Sequence, residues 1–191
     1  MKLNLPNKLT LARVALVPVF MVFAAMSQYG QPGFSPAMSL CAGLVFAVAS
    51  LTDYLDGYLA RKHGLVTDFG KFADPLADKM LTTAALIYML ADGVCSPIVL
   101  AVVLFREFAV AGVRMTAAAK NKVIAANMWG KAKTVLQMVT ILFYYFACCL
   151  APADAALAVG IATQALCWAV AALTALSGAI YIKENAGVML G

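Results

Sequence analysis

The chain has 191 residues, of which 64% are hydrophobic and 12% charged, with a formal net charge of +5. A soluble domain carries about twice that charged share, and no polar stretch here is long enough to form a separate soluble domain. The composition excludes an ordinary soluble enzyme and points to an all-α integral membrane protein, a single domain over residues 1–191.

Apolar segments near the roughly 20 residues that a helix needs to cross a bilayer recur along the chain. In order they are Leu9–Ser27, Ala37–Arg61, Phe72–Ala91, Pro97–Ala119, Gly130–Leu150 and Asp154–Ile182, which predicts six spans. The gaps carry turn residues: Tyr29-Gly30-Gln31-Pro32-Gly33, Asp92-Gly93, Asn121-Lys122 and Ala151-Pro152. Before the first span, Met1–Pro6 has the apolar residues Leu3 and Leu5 and suits either a short interfacial helix or a frayed end. Lys2 and Lys8 precede an apolar run, as in a secretory signal. Arg13 interrupts that run and no good small-x-small cleavage site follows, so a retained first span is expected.

The basic residues fix an orientation. With the N-terminus inside, Lys2, Lys8 and Arg13 lie at the first inner end, and Arg61, Lys62, Lys71 and Lys79 flank the turn between spans two and three. Arg106, Arg114, Lys120, Lys122, Lys131 and Lys133 bracket the turn between spans four and five, and Lys183 follows the last span. The outer loops hold only Asp92 and Asp154, which is the positive-inside bias. The expected location is a membrane, crossed several times, with the basic face toward the cytoplasm. The positive leaflet face attracts anionic lipid headgroups or substrates, and no nucleic-acid partner is expected. Cys41, Cys95, Cys148, Cys149 and Cys167 lie in or beside apolar spans without metal-ligand partners, since His63 is the only histidine, and read as buried structural cysteines.

The chemistry is carried by four aspartates. Asp53 and Asp56 are three apart near the inner end of span two, and so share a helix face. Gly57 and Ala60 continue that face with small side chains, and Arg61 lies two turns beyond Asp53. After a turn given freedom by Gly64 and Gly70, span three opens with Asp74-Pro75, and Asp78 follows four residues later. Asp74 taken alone suits a helix cap ahead of Pro75, and Asp68 reads as a solvated loop residue. A hairpin of spans two and three would bring all four carboxylates together. Four like charges at membrane depth need protons or cations. Oxygen donors without imidazole or thiolate select hard ions such as Mg²⁺, Mn²⁺ or Ca²⁺, and two divalent ions would balance four carboxylates. Such a pair clamps the attacking and leaving oxygens of a phosphoryl displacement.

The pattern Asp56-Gly57-x2-Ala60-Arg61-x8-Gly70-x3-Asp74-x3-Asp78, with Asp53 three residues before it, resembles the signature of the CDP-alcohol phosphatidyltransferases, with every fixed position filled. The resemblance implies transfer of a phosphatidyl or similar group from a CDP-linked donor to an alcohol, with release of CMP. It implies that Asp53, Asp56, Asp74 and Asp78 bind two divalent cations, Mg²⁺ or Mn²⁺, and that Asp78 is the general base on the acceptor hydroxyl. Asp56, Gly57, Ala60, Arg61 and Gly70 would form the CDP site, and a homodimer is implied as well. The residues agree with this, since small side chains admit a nucleotide and Arg61 can pair with phosphates bidentately.

Three further stretches bear on the acceptor. Asn7, Thr10 and Arg13 recur at three-residue spacing; capping and interface anchoring account for the first two, while Arg13 is deep enough to face a polar cavity. Arg106 lies far from either end of span four, with Glu107 beside it and Arg114 two turns on. Such groups face the bundle interior, as part of a site or as an ion pair between helices. Span five opens Gly130-Lys131-Ala-Lys133-Thr134, where each lysine alone also suits inner-leaflet anchoring. Together Arg106, Arg114, Lys131 and Lys133 offer a cationic pocket for an acceptor that carries its own phosphate. Glu107 and Thr134 lie within reach of it. These stretches are similar to those of family members that join CDP-diacylglycerol to glycerol 3-phosphate, and inositol phosphate is the other acceptor that the charge admits. A rival from a different class, an ion-coupled transporter, would need a path to both sides. The outer halves of the spans are nearly free of ionisable groups.

Overall fold

A computed structural model describes the backbone of residues 5–27, 33–63, 68–120, 124, 127–151 and 155–190. Within the helices, the side chains of residues 5–10, 53–63, 68–76, 78 and 188–190 lie outside the described residues. Six helices follow one another: α1 Leu5–Ser27, α2 Pro36–His63, α3 Asp68–Ala91, α4 Pro97–Ala119, α5 Met128–Leu150 and α6 Ala156–Leu190. Each expected span corresponds to one helix.

The boundaries differ where capping was misjudged. α3 begins at Asp68, six residues before Asp74. Asp74 therefore lies in the second turn and is not the helix cap that its position ahead of Pro75 suggested, and Asp68 is the first helical residue and not a loop residue. α5 begins two residues early because the Asn127 side chain accepts from the Gly130 amide at 2.9 Å. α4 starts as expected, with Pro97 in its first turn and the Ser96 hydroxyl accepting from the Ile98 amide at 3.3 Å. α6 continues eight residues past Ile182, because nothing in Lys183-Glu184-Asn185 breaks a helix; the Asn185 side chain donates to the Tyr181 carbonyl at 2.8 Å. The turn after α3 depends on Gly93, whose φ of 78° is open to glycine at no steric cost. This lets the Gly93 and Val94 amides cap the Leu90 and Met89 carbonyls at 3.0 Å each.

α1 packs on α2 and α3, α4 on α6, and α5 on both α2 and α6, so α5 ties the two groups together. Gly43 makes the α2–α5 contact close: a Cβ there would lie 3.1 Å from the Tyr145 Cβ. On the same contact the Ser39 hydroxyl donates to the Tyr145 carbonyl at 3.0 Å. The core is aromatic at its centre. Phe20 of α1 meets Phe46 of α2 at 6.0 Å, Tyr88 of α3 at 6.5 Å and Tyr145 of α5 at 5.5 Å between ring centroids, with tilted or edge-on geometry. Tyr144 stacks edge-on against Tyr145 and donates to the Asp92 carboxylate at 2.6 Å, so its polar tip is directed to the α3–α4 turn.

The outside of the bundle is apolar. Val22, Val48, Leu51, Phe105, Phe108, Leu150, Leu157 and Ile161 are all exposed, far more than a soluble monomer leaves in water. Among the described residues, two helices, at Met128–Leu150 and Ala156–Gly187, are long and apolar enough to cross a membrane by length and composition; Leu11–Ser27, Pro36–Thr52 and Lys79–Ala91 are shorter apolar segments. All five cysteines are free thiols, with Cys95, Cys148 and Cys167 buried and Cys41 and Cys149 partly so.

Candidate active site

The backbone of the aspartate signature is helical on both sides of residues 64–67. Residues 53 and 56 share one face of α2, and residues 74 and 78 share one face of α3. Because residue 74 sits inside α3, it is not the residue that caps that helix. Their side chains, and those of Ala60 and Arg61, expected with Gly57 and Gly70 in the CDP site, lie outside the described residues. So do the side chains of Asn7 and Thr10.

A described polar cluster begins one residue past Asp78. Glu107 of α4 collects cations from three helices. Its Oε1 accepts from Lys133 Nζ of α5 at 2.9 Å and from Arg106 Nη1 at 3.1 Å. Its Oε2 lies 3.3 Å from Lys79 Nζ of α3. The lysines differ in setting: the Lys133 side chain is 4% exposed and that of Lys79 is 40% exposed. Sequence reasoning grouped Lys79 with the inner-leaflet anchors and missed it. The available signal was its place inside a span, directly after Asp78, where a charged side chain demands a partner.

The four cations expected to form one pocket take separate positions. Arg106 crosses between α5 and α6 where two glycines admit it. A Cβ at Gly130 would lie 2.8 Å from its Nη2, and one at Gly178 would lie 3.0 Å from its Cγ. Its Nε is buried without a hydrogen-bond partner among the described residues. Arg114 is held to α6, its Nε donating to the Tyr181 hydroxyl at 3.2 Å and its guanidinium 5.8 Å from that ring's centroid. Lys131 is exposed, whereas Lys133 is buried. Arg13 is 1% exposed, deep in the bundle as expected.

A cavity of about 460 Å³ lies between α1, α3, α4 and α5. Its polar lining includes Lys79, Glu107, Lys133, Thr134 and Gln137, with Thr82 and Thr83; the remainder is mostly apolar, including Val17, Met21, Ile87 and Phe108. Thr134 also donates to the Gly130 carbonyl at 3.1 Å, which fixes its hydroxyl beside the cluster. A chamber with a cationic end and apolar walls suits an amphiphile with a phosphorylated head.

Comparison with known proteins agrees with this chemistry. Residues 3–176 match the CDP-alcohol phosphatidyltransferase family. The chain is 46% identical over 143 residues to the CDP-diacylglycerol–glycerol-3-phosphate 3-phosphatidyltransferase of Bacillus subtilis (strain 168), covering 72% of this chain and 74% of that protein. It is 34% identical over 180 residues to the protein of the same name from Rickettsia bellii (strain RML369-C), covering 94% of each. A probable phosphatidylglycerophosphate synthase of Mycobacterium tuberculosis (strain CDC 1551 / Oshkosh) is 41% identical over 138 residues, 72% of this chain and 64% of that one. With its signature filled from Asp53 to Asp78 and most of its length matched, the chain belongs to the CDP-alcohol phosphatidyltransferases.

Proposed function

We propose that the protein transfers the phosphatidyl group of CDP-diacylglycerol to sn-glycerol 3-phosphate, giving phosphatidylglycerol phosphate and CMP in phospholipid biosynthesis. The complete aspartate signature, on two helices beside a cationic cavity, carries the reading. The names of the relatives support the acceptor.

In this reading the donor's acyl chains stay in lipid while Asp56, Gly57, Ala60, Arg61 and Gly70 receive the CDP group. The acceptor's phosphate is drawn by the basic cluster at the polar end of the cavity, to which Lys133 of α5 belongs. Asp78 accepts the proton of the C1 hydroxyl as that oxygen attacks the phosphorus bearing diacylglycerol. The bond from that phosphorus to the CMP oxygen breaks, and Arg61 offsets charge on the departing CMP.

The donor set fits two hard divalent cations, Mg²⁺ or Mn²⁺. Four carboxylates in i,i+3 and i,i+4 register, none of them a helix cap, offer oxygen ligands only. Asp53, Asp56, Asp74 and Asp78 would hold the ions, whose chemistry is charge neutralisation at the diphosphate.

The protein acts as a multi-pass protein of the bacterial plasma membrane, with all six helices crossing and the site open to the cytoplasm. The positive-inside distribution and the apolar exterior support this placement. The working form is taken to be a homodimer, which crosslinking in native membranes would test.

The deciding experiment incubates purified protein with CDP-diacylglycerol, Mg²⁺ and labelled glycerol 3-phosphate. Labelled lipid and stoichiometric CMP are expected. Labelling from inositol phosphate instead would replace the acceptor, and absence of CMP release with every acceptor would overturn the reaction.

A further inference from the structure

We infer that Glu107 is a positioning residue that holds Lys79 and Lys133 as the seat of the acceptor's phosphate monoester, at the polar end of the cavity between α1, α3, α4 and α5. The inference rests on the proposed transfer to glycerol 3-phosphate and adds to it the residues that select a phosphorylated acceptor.

The geometry separates the five basic groups near this site by position. Lys79, Glu107 and Lys133 all line the cavity. Arg106, although bonded to the same carboxylate, lines a separate recess between α4 and α6 beside Thr174 and Gly178. Arg114 is engaged by Tyr181 and Lys131 is exposed. Two ammonium groups are thus presented to one chamber by one carboxylate, each using a different oxygen: Oε1 for Lys133 and Oε2 for Lys79.

The charge count suits the ligand. The two lysines that face the chamber exceed Glu107 by one positive charge, and Arg106, bonded to the same carboxylate from outside the chamber, brings the cluster's formal surplus to +2. A phosphate monoester carries about −1.5 to −2 at neutral pH. CDP-diacylglycerol has no monoester; the free acceptor has one, and so does the product lipid. The seat also lies in the correct part of the chain, because Lys79 directly follows Asp78, the candidate base. A free lysine on four rotatable bonds would lose much rotamer entropy on capturing phosphate. Glu107 removes most of that loss in advance by holding both ammonium groups before the acceptor arrives.

The test is steady-state kinetics in mixed micelles with Mg²⁺, varying one substrate at a time. Glu107→Gln and Lys79→Met are each expected to raise KM for glycerol 3-phosphate by roughly tenfold or more, the scale of one charge-assisted hydrogen bond. KM for CDP-diacylglycerol is expected to stay within about twofold. Glu107→Asp, which keeps the charge on a shorter stem, is expected to recover part of the loss. Product inhibition by phosphatidylglycerol phosphate is expected to weaken in parallel with acceptor binding. A fall in kcat at unchanged acceptor KM, or a rise confined to the donor KM, overturns the inference. Should Glu107→Gln fail to fold, Lys79→Met decides alone, since that side chain is 40% exposed. The two readings fail separately. Wild-type protein that uses only unphosphorylated alcohols refutes the proposed reaction; wild-type protein that makes phosphatidylglycerol phosphate while the variants keep the acceptor KM refutes only this inference.

Discussion

Lys133 donates to Glu107 at 2.9 Å, and this bond joins α5 to α4 with a lysine that is almost wholly buried. The two ends of the bond are not equivalent. Besides Lys133, Glu107 also holds Arg106 and Lys79. Loss of the carboxylate therefore strands more charge than loss of the lysine. Glu107→Leu is expected to destabilise the protein by about 3 kcal/mol, the range for a buried pair broken from one side. Lys133→Met is expected to cost less, because Glu107 keeps two partners. Thermal unfolding in one detergent, with both variants side by side, measures the difference.

Asp78→Asn is expected to lower kcat by roughly 10²-fold to 10⁴-fold, the contribution of a positioned general base. The amide keeps the size of the carboxyl, so the variant is expected to purify as a folded protein. Activity retained at the wild-type level would remove Asp78 from that role.

Chelation of divalent ions with EDTA is expected to abolish CMP release, and added Mg²⁺ or Mn²⁺ to restore it. Hard oxygen ligands favour these ions over softer ones. Turnover that continues in excess chelator would refute the metal requirement.

The Asp92–Tyr144 bond gives a pH signature at the far end of the bundle. Burial raises the Asp92 carboxyl above its ordinary value, and the Tyr144 hydroxyl, by donating to the charged form, opposes part of that rise. Below the ordinary carboxylate range the group is protonated whether folded or unfolded, and no penalty arises. Between about pH 4, the unfolded value, and the raised folded value, the unfolded state ionises first and stability falls as pH rises. Above that window the cost is constant. Tyr144→Phe removes the opposing bond, so the window is expected to extend to higher pH and stability near neutrality to fall by about 1–2 kcal/mol. Unfolding temperatures across an acid-to-neutral series check both effects.

Gly43→Val is expected to destabilise by about 1–3 kcal/mol, the usual cost of overpacking. The nearest atom to the new Cβ is the Tyr145 Cβ, which is anchored to the α5 backbone and cannot turn aside as a long side chain would. Thermal unfolding, with Gly112→Val as the open-space control, measures it.

Much of this was legible in the sequence because membrane helices declare themselves through length and apolar content. All six helices were found, and the Asp53–Asp78 signature identified the reaction class. The errors were of two kinds. Helix ends were misplaced where local capping was inferred from a dipeptide: Asp74-Pro75 looked like a start, yet α3 begins at Asp68. The cationic pocket was drawn from chain proximity alone. Only packing reveals that Arg106 turns toward Gly178, that Tyr181 takes Arg114, and that Lys79 joins Lys133 through Glu107. Such relations link residues far apart in the chain, and helical periodicity carries no information about them.

The length of α6 has one more consequence. Its 35 residues, at about 1.5 Å each, reach roughly 52 Å, against a hydrocarbon thickness of about 30 Å. On the membrane placement proposed above, the surplus extends the helix beyond the lipid, past Ile182 into Lys183 and Glu184. Tyr181 sits at that threshold and grips Arg114 near the end of α4. On that placement the last helix is a mooring post that sets how deep α4 rides, and with it the height of Glu107 above the membrane midplane.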